Sequence, residues 1–263
     1  MNKGAGSAPS CSAENKMEKI TSRKNKIITH IKKLSTDSAY RRESKEYVCD
    51  GEKLLNEAVS NGVNISCVLW AESAVGLSSA LQFCAPTDLI SYVSPLKNST
   101  GPVFTVKIPK DDVLFDIKSA IILDGVQDPG NVGTIIRSAG AFGIDAVILT
   151  GDCADLYNPK TVRSTMGAVF RQRVIEMSLE QLPALLLENN LTLYGAALTE
   201  KAVELGSLEL KNCAVAIGSE GNGLSRGLLD ICDKQIIIPM DKLCESLNAS
   251  IAASIIMWEM SKN

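Results

Sequence analysis

The sequence predicts an α/β protein in which a C-terminal parallel-sheet domain follows a smaller α/β unit. Beyond residue 117, short runs rich in Val, Ile and Leu alternate with stretches of helical periodicity, the pattern of strands covered on both faces. Between residues 20 and 109 the alternation is the same but the elements are shorter. The polar segment from Pro109 to Asp116, with Lys110, Asp111 and Asp112 in succession, separates the two. The expected organisation is a disordered lead over 1–18, with Met17 as an alternative natural start, then a domain over 19–110 and a domain over 117–263.

In the first domain apolar patterning predicts a helix over 27–34, a strand over 47–50, a helix over 53–61, a strand over 65–70, a helix near Ser79 and a strand over 103–108. In the second it predicts strand 119–123, helix 131–142, strand 146–149, helix 160–166, strand 174–177 and helix 179–188. Strands 192–197 and 213–217, a short helix after Leu224, strand 235–238 and helix 246–260 complete it. The last helix carries Ile251, Ala252, Ile255, Ile256, Met257, Trp258 and Met260, is apolar on nearly every side, and so needs burial all round. Ligands of such sheets bind at the carboxyl ends of the strands, which singles out the loops after Leu123, Ala197, Ile217 and Ile238.

Composition narrows the chemistry. The 263 residues are 45% hydrophobic and 22% charged, enough for a full core, and the longest apolar run is broken by Glu259 short of membrane-spanning length. No apolar signal stretch opens the chain, so a cytoplasmic protein is expected, with its 8 cysteines reduced. None of them forms a C-x-x-C pair, which argues against a cysteine metal site. The single histidine, His30, leaves little for imidazole catalysis. Residues 1–50 hold 11 Lys and Arg against 6 Asp and Glu, whereas the rest holds 16 against 24. A basic head of this kind suits a polyanion, and suits a solvated helix equally well.

The loop after Leu123 contains a Pro129-Gly130 turn with positive φ expected at the glycine, then Asn131 as a helix N-cap. Neither the G-x-G-x-x-G nor the Walker phosphate-loop pattern is present. In the following helix Val132, Ile135, Ile136, Ala139 and Phe142 form the buried stripe and leave Arg137 outside it, as a solvated or a functional arginine. Three glycines in Gly218-Ser-Glu-Gly-Asn-Gly223 allow a close approach of backbone to ligand, or simply a turn. Ser246, ahead of the last helix, reads as its N-cap.

Taken in order, Asp128-Pro-Gly-Asn-Val-Gly133 with Arg137, Gly218-Ser-Glu-Gly-Asn-Gly-Leu-Ser225, and Ile238-Pro-Met240 with Ser246-Leu-Asn248 resemble the three signature motifs of the SpoU or TrmH-type RNA ribose methyltransferases. Tyr157-Asn-Pro-Lys160 and Arg163-Ser-Thr-Met-Gly-Ala168 match as well, so the resemblance spans about 117–260. Tyr47-Val-Cys-Asp-Gly-Glu-Lys-Leu54 resembles, more loosely, the ribosomal-protein-like substrate-binding domain that many members carry in front. The resemblance implies S-adenosylmethionine (AdoMet) as cofactor, a deep trefoil knot, and a homodimer through the knot region and the C-terminal helix. It places Asn131, Arg137, Glu220, Ser246 and Asn248 at the reacting centre. Around the cofactor it places Ala197, Leu198, Thr199, Gly218, Glu220, Gly223, Ile238, Met240 and Leu247. A methylated ribose 2′-hydroxyl of structured RNA is the implied product. The front domain favours ribosomal over transfer RNA, since transfer-RNA members often use short helical extensions instead. No metal is implied and no membrane partner.

Two other classes share the architecture. A dinucleotide-dependent oxidoreductase should show G-x-G-x-x-G after its first strand, which is missing. A non-catalytic RNA-binding protein with this fold would have lost some of Asn131, Arg137, Glu220 and Asn248, and all four are present.

Overall fold

The computed structural model describes residues 18–71, 80–96, 98–109, 116–199, 201–241 and 243–262. The expected disordered lead up to Met17, the helix near Ser79 and most of the polar segment between the domains lie outside the described residues. The first part contains β1 (Glu18–Lys19), α1 (Lys26–Thr36), α2 (Ser38–Ser44), β2 (Glu46–Asp50), α3 (Glu52–Ser60), β3 (Ile65–Trp70), β4 (Leu81–Cys84), α4 (Thr87–Val93) and β5 (Val103–Lys107). Its sheet has the order β1-β4-β3-β5-β2 and is mixed, with β5 antiparallel to both β2 and β3. Four of these elements escape sequence patterning: the two-residue β1, α2, β4 and α4. Helix α2 buries only Arg41 and is held by its Asp37 cap, so it has no apolar stripe to read. Strand β4 has four residues, of which Leu81 is exposed, and α4 starts directly behind Pro86.

His30 is structural. Its ring nitrogens meet the Tyr40 hydroxyl at 2.8 Å and the buried Glu46 carboxylate at 3.0 Å, and Lys107 pairs with the same carboxylate. Burial works against the Glu46 charge, but the His30 and Lys107 contacts outweigh it and hold the carboxyl at about 2.

The second part contains β6 (Ser119–Asp124), α5 (Pro129–Phe142), β7 (Ala146–Thr150), α6 (Pro159–Ser164), β8 (Val174–Glu176), α7 (Leu182–Glu188), β9 (Thr192–Ala196), β10 (Val203–Glu204), β11 (Cys213–Gly218), α8 (Arg226–Ile231), β12 (Lys234–Ile237) and α9 (Ala249–Met260). All seven strands are parallel, in the order β10-β12-β9-β11-β6-β7-β8. Each face carries its own core. One collects α5 and α9 against Ile121, Val147 and Val215, the other α7 and α8 against Ile122, Ile148 and Ala216. The chain lays β6, β7 and β8 in one direction, crosses back to β9, and later inserts β11 between β9 and β6. Such a reversal opens a crevice at the carboxyl ends of the strands.

Local geometry corrects several expectations. Asp128, not Asn131, caps α5: its carboxylate accepts the Asn131 N–H at 2.9 Å. Pro129 takes the first helical position, where its fixed φ fits and its missing N–H costs nothing, so Pro129-Gly130 is helix rather than a turn with positive φ. Helix α6 ends at Ser164, and residues 179–181 form a 3₁₀ turn rather than the start of α7. Asn248, not Ser246, caps α9, accepting N–H groups from Ser250 at 2.9 Å and Ile251 at 3.3 Å.

The two sheets share packing. Val162 of α6 belongs to the core of the first part, and the Tyr47 and Tyr157 rings lie 4.7 Å apart. Arg41, 4% exposed, gives two N–H groups to Asp155 at 2.6 and 3.2 Å and a third to the Leu34 carbonyl at 2.8 Å. Helix α6 in turn seats α5. A Cβ on Gly133 would stand 2.5 Å from both the Thr161 carbonyl oxygen and the Ser164 Cβ. Neither neighbour is the free end of a flexible side chain, so Gly133→Ala should lose about 1–3 kcal/mol of stability, measured by urea unfolding.

Candidate active site

Three loops meet at the crevice, and hydrogen bonds fix how. The Asn248 side-chain oxygen is committed to the N-terminus of α9, so its NH₂ must face outward, where it donates to Asn131 Oδ1 at 3.1 Å. That leaves the Asn131 NH₂ directed at the Glu220 carboxylate, to which it donates. Residues 89 and 117 positions apart in sequence are thereby joined in one directional chain. A second tie runs from the Ser225 N–H to the Asp124 carboxylate, 2.6 Å away at the end of β6. The motifs do not assign this role to Asp124 or Ser225. The only signal is an acid followed by glycine at a strand end, a pattern shared with many ordinary turns.

Beside this chain lies a cavity of about 450 Å³, within the usual range for small-molecule sites. Ala197, Leu198, Gly218, Glu220, Gly223, Ile238, Met240, Ser246, Leu247 and Asn248 all line it. Asn222, within the glycine loop, lines it too, as do Leu229 and Ala252, which no motif marks. Thr199 is not on the wall, because its hydroxyl is bonded to the Gln235 side chain. Asn131 touches the site through Glu220 and Asn248 rather than through the cavity.

Arg137 stands apart. Asn131 and Arg137 are six residues apart, about 120° around the helix. The Asn131 side of α5 faces α9, where Ser138 and Ser254 hydroxyls meet at 3.0 Å. The Arg137 side carries Gly133 and Gly140, which face α6 and Ala168. Arg137 is exposed, as the stripe predicts, and within one chain it does not join the Glu220–Asn131–Asn248 chain.

The chemistry available is polar and positional. Burial pushes the Cys232 thiol up to about 11, so this cysteine near the cavity is no thiolate at neutral pH. The Asp128 carboxyl is held low by the Asn131 N–H, with Lys160 adding to it. No group of three or more potential metal ligands occurs among the described residues. The cavity fits AdoMet: alanine, leucine and isoleucine side chains offer an apolar slot, strand ends offer backbone polar groups, and Glu220 offers a negative charge to a sulfonium.

A parallel sheet with an insertion at its switch point, a cavity at the strand ends and an acid–amide–amide chain from three loops define an α/β protein with a ligand site at the carboxyl edge of its sheet. The chain belongs to the SpoU rRNA methylase family, whose pattern it matches over residues 118–258. It is 31% identical over 93% of its length to the 23S rRNA (guanosine(2553)-2′-O)-methyltransferase RlmP of Bacillus subtilis, covering 99% of that protein. The AdoMet-bound rRNA methyltransferase of Sinorhizobium meliloti superposes with a TM-score of 0.85 at 25% identity, over 94% of this chain and 98% of the other. The SpoU methyltransferase AviRb of Streptomyces viridochromogenes gives 0.79 at 25% identity, over 90% and 97%.

The glycine loop separates two causes of its composition. A Cβ on Gly218 would lie 2.0 Å from the Gly223 carbonyl carbon, so Gly218 serves the folding of the loop on itself rather than approach to a ligand. Gly223 needs its φ of +64°, while a Cβ on Gly221 would meet nothing within 4 Å. Gly218→Ala should therefore weaken AdoMet binding by about tenfold or more, the equivalent of about 1.4 kcal/mol. Gly221→Ala should leave it unchanged, with titration calorimetry reading both.

Proposed function

We propose that this protein transfers the methyl group of AdoMet to a ribose 2′-hydroxyl of ribosomal RNA. The observation that carries the reading is the coincidence of the Glu220–Asn131–Asn248 chain with the cavity at the ends of β9, β11 and β12. Ala197, Leu198, Gly218, Gly223, Ile238, Met240 and Leu247 would hold the cofactor, Gly218 by shaping the loop. Bound there, AdoMet supplies an electrophilic methyl group. The protein's own task is to place a hydroxyl in line at about 3 Å, which is mostly positioning. Glu220, oriented by Asn131, provides negative charge at the cavity, and Ser246 and Asn248 border the approach to it. Arg137, exposed and apart from the cavity, acts as a clamp on the target phosphate and hydroxyl. A guanidinium keeps its proton above about pH 12, so phosphate or water accepts the hydroxyl proton.

In the same reading the unit over 19–110 binds RNA, supported by its basic surface on Arg23, Lys32 and Lys33, whose cations lie 4.6 to 5.0 Å from the Tyr92 and Tyr40 ring centres. The C-terminal third of the methyltransferase domain is knotted, a reading supported by the late insertion of β11 between β9 and β6. The protein acts as a homodimer through α9. Ile251, Ile255 and Trp258, spaced at four and three residues, remain 53%, 36% and 54% exposed on a helix with no other polar face to offer solvent there.

Transfer of labelled methyl from AdoMet to total ribosomal RNA but not to total transfer RNA is the test, followed by mapping of the modified ribose. Label in neither RNA sinks the reading. Arg137→Ala should abolish transfer while AdoMet affinity, measured on the same preparation by calorimetry, changes less than about twofold. Parallel loss of both would refute the clamp. Trp258→Glu should convert a dimer to monomer in sedimentation velocity.

A further inference from the structure

A second concavity, about 570 Å³, opens where the two sheets meet. Arg42 and Lys45 reach it from the end of α2, and Arg173 and Gln172 from the segment entering β8. Tyr157 and Val169 form part of its apolar wall. Among the described residues, none of the three cations lies within 4.0 Å of a carboxylate in an ion pair. Of the two acids in the groove, Asp155 is already neutralised by the buried Arg41. Burial pushes the other, Glu176, toward its neutral form, with Asp155 adding to that and Arg42 opposing it. Three unpaired cations from two domains, gathered around one recess, make a site suited to an anion.

Position indicates which anion. Asp155 and Tyr157 follow β7 and Met177 follows β8, while Arg173 precedes β8, so the groove runs along the outer edge of β8 and reaches the carboxyl edge of the sheet on which the cofactor cavity opens. From β11 to β8 is three strand spacings of about 4.8 Å, so groove and cavity lie roughly 14 Å apart along that edge. A nucleic acid chain lying along the edge reaches both. We infer that the interdomain groove binds a backbone phosphate of the RNA substrate, flanking the target ribose, through Arg42, Lys45 and Arg173. The inference rests on the RNA-methylating reading of the neighbouring cavity. Its role is that of a ruler: one wall belongs to each domain, and the Arg41–Asp155 pair fixes the walls relative to each other.

The test compares two double variants with equal loss of charge. Arg42→Gln/Arg173→Gln removes one cation from each wall. Lys118→Gln/Lys211→Gln removes two that do not line the groove, just before β6 and β11. Binding of labelled ribosomal RNA fragments is measured across a salt series. The groove variant should lower the log–log salt slope by about 0.7 to 0.9 for each phosphate left unneutralised, worth about five- to eightfold in affinity per phosphate at about 0.1 M salt. The control variant, Lys118→Gln/Lys211→Gln, should keep the slope and affinity of the parent protein. Arg42→Lys/Arg173→Lys should keep the slope, and supplies the comparison if the glutamine variant does not fold. AdoMet binding by calorimetry reports folding of each. Equal slopes in groove variant and parent, or equal losses in groove and control variants, overturn the site. Methyl transfer by the parent protein to the same RNA reads the proposed function separately, so the two can fail independently.

Discussion

An amide side chain has a donor end and an acceptor end, and the active region of this protein is organised by that asymmetry. Asn248 spends its oxygen on the N-terminus of α9, which dictates the orientation of its NH₂, which dictates that of Asn131, which aims a donor at Glu220. No link can be reversed without leaving a helix N-terminus or a carboxylate unpaired. The helix cap and the three-loop hydrogen-bond chain beside the cavity are therefore one device. Replacing either asparagine by its acid, or any member by alanine, disturbs the other two, so the three loops are adjusted jointly.

The signature residues divide into those that face the cavity and those that let the chain reach it. Glu220, Ser246 and Leu247 face it. Gly133 and Gly218 serve close packing instead: one admits α6 against α5, the other admits the Gly223 backbone against the end of β11. Pro129 starts a helix. A motif in such a family is as much a record of close backbone approach as of chemistry.

How much is legible in the sequence follows from this. The strands over 65–70 and 119–123 and the helix over 131–142 can be read because burial on one or both faces leaves a periodic apolar trace. Helix α2 and strand β4 cannot, since the first buries an arginine and the second is short with an exposed leucine. Most of the cavity wall is legible through the motifs, which lie on loops at strand ends. Leu229 and Ala252 are not, because apolar residues on helices have many ordinary uses. The caps expected at Asn131 and Ser246 fail for one reason. Several residues in each loop could accept the N–H groups, and only the fold selects Asp128 and Asn248.

Val162 completes the core of a sheet to which it does not belong. The front unit is thus not an accessory tethered by a linker, since its core is completed by α6 and by Tyr157, Val169 and Phe170 beside it. Exchange of this unit for another domain would require a matching surface on α6, and α6 is already constrained from its other side by Gly133. The two parts therefore cannot be exchanged independently, and a change in either has to be matched at the face they share.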